Sequence, residues 1–311
     1  MSQERNLSAS QRSSTSALLR PRSVRIALTS FLIENASWSR AASGDPDLSR
    51  DRYKRLVRLS NAIIKARPKP QYVVFPELAI PRKWIRPLAH HFLKEGISLI
   101  TGVEYALETR GGGEHVRNEA RLYLTDNRLG YPSFSVITQH KGVPSHQERS
   151  DLRSLFGRSF LPLVVKENEK QIYRHYGFCF GVLICSELTD LTHRQAMRGN
   201  VDNLFVLCWN RDLESFVSLV ESSALDIHCF VTLVNNRMYG DSRVRAPYKE
   251  SYRRDLVRIK GGTDDYFVIT EINIDELREA QSHVEPSALT FKPTPEGFVI
   301  PRHRYRVPEV K

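Results

Sequence analysis

The chain has 311 residues, 41% hydrophobic and 26% charged, with a net charge of +11. That is enough for one large globular domain or two small ones, and no apolar run reaches the ~20 residues a membrane-spanning helix needs. Four cysteines without a CxxC pair speak against a disulfide scaffold or structural zinc, and for a reducing, cytoplasmic setting.

The charge is uneven. Residues 1–60 hold 11 Lys/Arg against 5 Asp/Glu, whereas residues 241–311 hold 13 against 12. A basic arm can meet nucleic acid or an acidic partner. No compact Lys/Arg run with interleaved aromatics accompanies it, so solvated surface charge is the preferred reading and nucleic acid the weaker one.

Residues 1–22 are rich in Ser and Arg and read as a flexible lead-in. Their composition also resembles an organelle transit peptide, but no apolar h-region marks a secretory signal. From Ser23 strand and helix patterns alternate. SVRIALTSFL reads as a strand. Residues 48–68 carry apolar side chains at helical spacing, and QYVVFPE, 71–77, is a buried strand stopped by Pro76. A helix fits 84–95, and strands fit 97–105, 121–125 and 134–141. The polar 145–160 stretch reads as a candidate lid. FCFGVLIC, 178–185, is a strand, followed by a helix over 191–200 and a strand over 203–210. A helix fits 216–230, a strand 231–237, and a strand leading into a helix 266–281. The alternation predicts one α/β domain over 23–282 with helices covering the sheet faces. The proline-rich extension 283–311 is expected to wrap the surface or reach a partner.

In such folds ligands sit beyond the carboxyl ends of strands. Three of these ends carry chemistry: Glu77 after YVVFP, Lys141 after FSVITQH and Cys185 after FCFGVLI. A thiol needs deprotonation before it is a good nucleophile. A carboxylate can accept its proton, and an ammonium can lower its pKa and stabilise an oxyanion. Alone, a cysteine at a strand end is more often a small core hydrophobe. The coincidence of three groups at three strand ends favours catalysis.

Those residues carry a family resemblance. FPE at 75–77, a strand-ending lysine and G-x-x-I-C at 181–185 resemble the nitrilase superfamily of carbon–nitrogen hydrolases. Asn118-Glu119-Ala120, the spacing of Lys141 and Glu148, SALDIHCFVTLVNNR at 223–237, GDSRVRAP at 240–247 and ITEINIDELREA at 269–280 resemble further segments of that family. Ser186 stands where members often carry an aromatic, and Pro144 where leucine is usual. The resemblance implies a single-domain, four-layer α-β-β-α sandwich. It implies a Glu77–Lys141–Cys185 set acting on a small amide, less readily a nitrile, through a thioester. Glu148 orients Lys141 and substrate. It also implies no metal or organic cofactor, and a homodimer or larger homo-oligomer. Trp209, Asn210, Tyr105 and Ser186 are candidate substrate contacts, with Trp84 and Phe160 behind them. His193 and Arg194, on the helix after the nucleophile, are candidates for an acidic substrate or an oligomer contact. Cys179, Cys208 and Cys229 read as core thiols. The runner-up function is a catalytically altered or acyl-transferring relative working in an assembly.

Overall fold

The computed structural model describes residues 22–128, 130–161, 171–282 and 290–304. All but the last residue of the expected lead-in, and part of the expected C-terminal extension, therefore lie outside the described residues.

Two sheets form from strands whose faces are both covered. The first is built from β1 (Ser23–Ser30), β2 (Tyr72–Val74), β3 (Ser98–Arg110), β4 (Gly113–Asp126), β5 (Ser133–His140) and β13 (Tyr266–Asn273). Its order is β13-β1-β2-β3-β4-β5, with the short β6 (Ser159–Phe160) beside β4. The second contains β7 (Ile172–His175), β8 (Phe178–Ile184), β9 (Asn203–Cys208), β10 (Phe230–Asn235), β11 (Ser242–Arg245) and β12 (Asp255–Ile259), in the order β12-β11-β10-β9-β8-β7. In each sheet the central three strands are parallel, β1-β2-β3 and β8-β9-β10. Antiparallel strands flank them. Both parallel cores therefore end in loops at the edge where ligands bind in such sheets.

Period-two alternation decides which side chains meet. Ile26 and Leu28 of β1 enter the core between the sheets, while Ala27 faces the helices outside. Across the sheet–sheet core Tyr72 lies 5.4 Å from Phe178 and 5.9 Å from Phe180, ring centre to ring centre. Outside the first sheet lie α2 (Arg50–Lys65) and α3 (Arg82–Leu93), which bury Leu56, Leu59, Ile63, Leu88 and Phe92 against Val73, Phe75 and Leu99. Outside the second lie α5 (Leu191–Met197) and α6 (Leu213–Asp226), which bury Met197, Val220 and Ala224. Gly181 admits α5 closely: a Cβ there would meet Met197 Sδ at 2.5 Å. The result is the expected four-layer α-β-β-α sandwich.

The first sheet also carries α1 (Asn35–Ser43), which ends at Gly44 with φ 92°. The candidate lid stretch is a helix over most of its length, α4 (His146–Phe156), seated by Leu152 and Phe156 on Trp38 and Tyr105. Ser145 caps it by accepting the Glu148 N–H at 3.1 Å, and Gly157 closes it at φ 64°. The final helix, α7 (Ile274–Ser282), contributes Arg278 to a fully buried carboxylate, Asp202, at 2.6 Å. Arg304 reaches the same carboxylate at 2.8 Å. Phe291, 4.8 Å from Tyr248, joins the main core. Residues 290–304 are thus part of the same body as the sandwich. Among the described residues no helix is long and apolar enough to cross a membrane.

Gly102 in β3 lies against the turn that carries Glu77: a Cβ there would meet Leu78 N at 2.5 Å and also touch the Glu77 backbone. Backbone atoms cannot swing aside. Gly102→Ala is therefore expected to cost about 1–3 kcal/mol of stability by overpacking. It should also displace Glu77, which chemical denaturation and side-by-side activity measurements would read. Unchanged stability would contradict this packing.

Candidate active site

Glu77, Lys141 and Cys185 come after β2, β5 and β8, and the sandwich brings their strand ends together. The turn after Glu77 places Leu78 at φ 57°, and Cys185 itself takes φ 49° as it opens a 3-10 turn over Cys185–Thr189. Non-glycine residues in this left-handed region are strained, by an order of 1–3 kcal/mol, and such strain gathers at functional sites. Glu187 holds the cysteine turn. Its carboxylate accepts the Ile184 N–H at 2.9 Å and the Gly142 N–H at 2.7 Å. One buried side chain thereby ties the nucleophile turn to the residue after Lys141.

The Lys141 ammonium is 2% exposed and lies between two carboxylates, 2.8 Å from Glu77 Oε1 and 2.5 Å from Glu148 Oε2. Asn118 bridges the same pair, its amide donating to Glu77 Oε1 at 2.7 Å and Glu148 Oε1 at 3.1 Å. Tyr105 donates its hydroxyl hydrogen to Glu148 Oε1 at 2.8 Å and accepts from Trp38 Nε1 at 3.2 Å. The backbone N–H of Trp209 donates to Glu77 Oε2 at 3.1 Å. The Cys185 thiol, 8% exposed, stands within electrostatic reach of Lys141, and Cys208 ends the neighbouring strand, where Leu207 pairs with Ile184.

This arrangement pushes the two glutamates apart. Burial raises the Glu77 pKa, a push that Lys141 only partly offsets and to which the nearby Glu148 charge adds. Glu148 is buried too, but Lys141 and the hydrogen bonds from Lys141, Tyr105 and Asn118 outweigh burial and lower its pKa. For Lys141, burial works against the charge, yet the two carboxylates hold its pKa well above the ordinary value. Such a split suits one carboxylate, Glu77, to exchange a proton and the other, Glu148, to stay an anion. Among the described residues no group of three or more His, Cys, Asp or Glu forms a metal site.

The remaining candidates separate by position. Tyr105 and Trp209 border the carboxylates, and Trp209 stacks on Trp38 at 5.5 Å. Ser186 donates to the Val143 carbonyl at 3.3 Å, at the mouth of the site. The Asn210 side chain is tied to the backbone of Asp212. Trp84 packs on Tyr53 in the outer helix layer, away from these groups. His193 and Arg194 are also outside it: Arg194 bonds Ser222 of α6, and His193 lies near Asp190. Phe160 lines a neighbouring cavity. Two residues escape sequence reasoning. Cys208 reads as a core thiol but ends the strand beside Cys185. Asn118 carries a family-like segment but no visible role until the fold sets it between two glutamates distant in sequence.

The fold is similar to that of solved amidases, some described as belonging to the nitrilase superfamily. An amidase from Nesterenkonia sp. superposes with a TM-score of 0.56 at 16% identity, over 82% of this chain and 92% of that one. A cysteine-to-alanine variant of the Nesterenkonia sp. AN1 amidase in complex with butyramide gives 0.55 at 15%, covering 82% and 93%. So does a glutamate-to-leucine variant showing covalent addition of the acetamide moiety of fluoroacetamide at its active-site cysteine. No family model matches the chain, and no curated protein matches its sequence significantly.

Glu148→Gln removes a like charge that raises the Glu77 pKa and leaves Lys141 to Glu77 alone. Both changes lower that pKa, so the acid limb of the pH–kcat/KM profile should move to lower pH while kcat falls. A limb that stays in place or rises would contradict the proton-carrier assignment.

Proposed function

We propose that the protein hydrolyses the C–N bond of a small amide by covalent thiol catalysis. The carrying observation is the buried Glu77–Lys141–Glu148 cluster beside a strained cysteine. Support for amide as the substrate class comes from the structural relatives, one of which holds butyramide.

In this mechanism Glu77 accepts the Cys185 proton and the thiolate attacks the carbonyl carbon. A C–S bond forms as the carbonyl π pair moves to oxygen. Lys141 and the Ser186 backbone N–H stabilise that oxyanion, a contribution of about 3–4 kcal/mol per donor in comparable sites. The oxyanion collapses, the C–N bond breaks, and Glu77 gives its proton to the departing nitrogen, leaving a thioester. Water then loses a proton to Glu77 and attacks the thioester carbon. The C–S bond breaks, and the thiolate is reprotonated. The products are a carboxylic acid and ammonia or an amine.

Glu148 acts through Lys141, fixing the ammonium against Glu77. Burial of the whole set matters because electrostatic interactions strengthen as water is excluded. Transfer of the acyl group to an amine instead of water differs only in the second nucleophile.

Ammonia release from a panel of small primary amides tests the proposal. Cys185→Ala should lose turnover by at least about a thousandfold, as loss of a nucleophile does elsewhere, while keeping the far-ultraviolet spectrum of the folded protein. Retained turnover in that variant would overturn it.

A further inference from the structure

The site holds a second thiol that the hydrolytic mechanism does not use. Cys208 is the last residue of β9, is fully buried, and sits on a strand that runs parallel to β8. Ile184 and Leu207 are register partners across that pair. One residue further on, each chain segment carries a cysteine, Cys185 and Cys208. Neighbouring strands lie about 4.8 Å apart, and residues in register turn their side chains to the same face. A disulfide needs Cα atoms roughly 4.4–6.8 Å apart, a window that adjacent strands in register meet.

The other two cysteines are out of reach. Cys179 lies six residues before Cys185 along β8, and Cys229 lies six residues before Asn235, the register partner of Cys208 on β10. At ~3.3 Å per residue each is about 20 Å from the pair. Cys208 also feels the catalytic set. Burial pushes its pKa well above the ordinary thiol value, the neighbouring Cys185 pushes it further, and the charges of Glu77 and Lys141 both act on it. Cys208 therefore stays protonated at neutral pH and does not react first. A reactive cysteine standing alone is oxidised through sulfenic to sulfinic acid, which thiol reductants do not reverse; a thiol close by intercepts the first stage.

We propose that Cys185 and Cys208 form an oxidation site, at which a hydroperoxide such as hydrogen peroxide converts the nucleophile to a reversible disulfide with Cys208. The Cys185 thiolate attacks one peroxide oxygen. An S–O bond forms, the O–O bond breaks, and the second oxygen leaves as hydroxide, which takes up the proton that the thiol gave to Glu77. The sulfur has lost two electrons and is a sulfenic acid. The Cys208 sulfur then attacks it, an S–S bond forms, the S–O bond breaks, and the hydroxide departs as water with the Cys208 proton. In all, two thiols are oxidised and one peroxide is reduced to two waters. While the disulfide holds, Cys185 has no free sulfur to attack an amide; a dithiol reductant restores it. This inference rests on Cys185 being the reactive thiol of the hydrolysis reading.

The test exposes the full-length protein to hydrogen peroxide at neutral pH, blocks the remaining thiols with iodoacetamide before unfolding, and maps peptides by mass without reduction. A linked Cys185–Cys208 pair is expected in wild type, and dithiothreitol should return Cys185 to the thiol. In Cys208→Ser the same exposure should carry Cys185 to sulfinic acid, which dithiothreitol leaves in place. Wild-type Cys185 found as an unmodified thiol or as sulfinic acid with no linked pair, or linked instead to Cys179 or Cys229, would overturn the proposal. So would equal recovery of the Cys185 thiol in wild type and Cys208→Ser. Should that variant fail to fold, the wild-type map alone decides. The readout is covalent and needs no substrate, so the two readings fail separately. A linked pair in a protein that hydrolyses no amide supports the oxidation site and counts against hydrolysis, whereas amide hydrolysis without the linked pair does the reverse.

Discussion

A single buried ammonium organises this molecule's working end. Lys141 has nowhere to place its charge except between Glu77 and Glu148. Desolvating an ion costs several kcal/mol unless close partners offset it. The two carboxylates would repel each other without the lysine, and the lysine could not stay charged without them. Each of the three side chains therefore fixes the other two, and together they fix the ends of β2, β5 and α4. Asn118 and Tyr105 extend the arrangement by hydrogen-bonding the same carboxylates.

The sandwich gives that cluster its location. Parallel central strands in both sheets end at one edge, so β2 and β8 deliver a carboxylate and a thiol toward each other from opposite layers. Glu187 then clamps the two sides through backbone N–H groups of Ile184 and Gly142. The clamp also explains how Cys185 holds a left-handed backbone conformation: Glu187 and the 3-10 turn over-determine it. The aromatic chain Tyr105–Trp38–Trp209 packs behind the carboxylates and keeps them dry. Dryness and a shared cation together raise the pKa of one glutamate and lower that of the other.

Much of this arrangement is legible in the sequence. Buried parallel strands announce themselves as short apolar runs, and the fold places the residue after each run at one edge. Glu77 and Cys185 are visible for that reason, whereas Lys141 follows β5, a half-exposed strand paired antiparallel with β4. The role of Asn118 is not, because its partners lie 41 and 30 residues away, and no local pattern encodes such contacts. Cys208 is hidden because strand pairing, not sequence spacing, brings it to Cys185. The outer strands β11 and β12 escape because their arginines and acids, paired as Arg243–Asp241 and Arg245–Asp255, obscure the apolar alternation. Helix α4 does carry a local signature: Ser145 and Glu148 stand at capping-box spacing, and Gly157 closes the segment. Its polar exposed face outweighs those signals, so the stretch reads as a lid and not as a helix.

The central claim is that Lys141, held by two carboxylates, activates one particular thiol among four. Timed alkylation with a haloacetamide at neutral pH, mapped by peptide mass across Cys179, Cys185, Cys208 and Cys229 in wild type and Lys141→Ala, tests it most directly. The account predicts fast labelling confined to Cys185 in wild type and a marked slowing in the variant. Labelling of Cys185 no faster than that of the other three, or unaffected by loss of the ammonium, would contradict it.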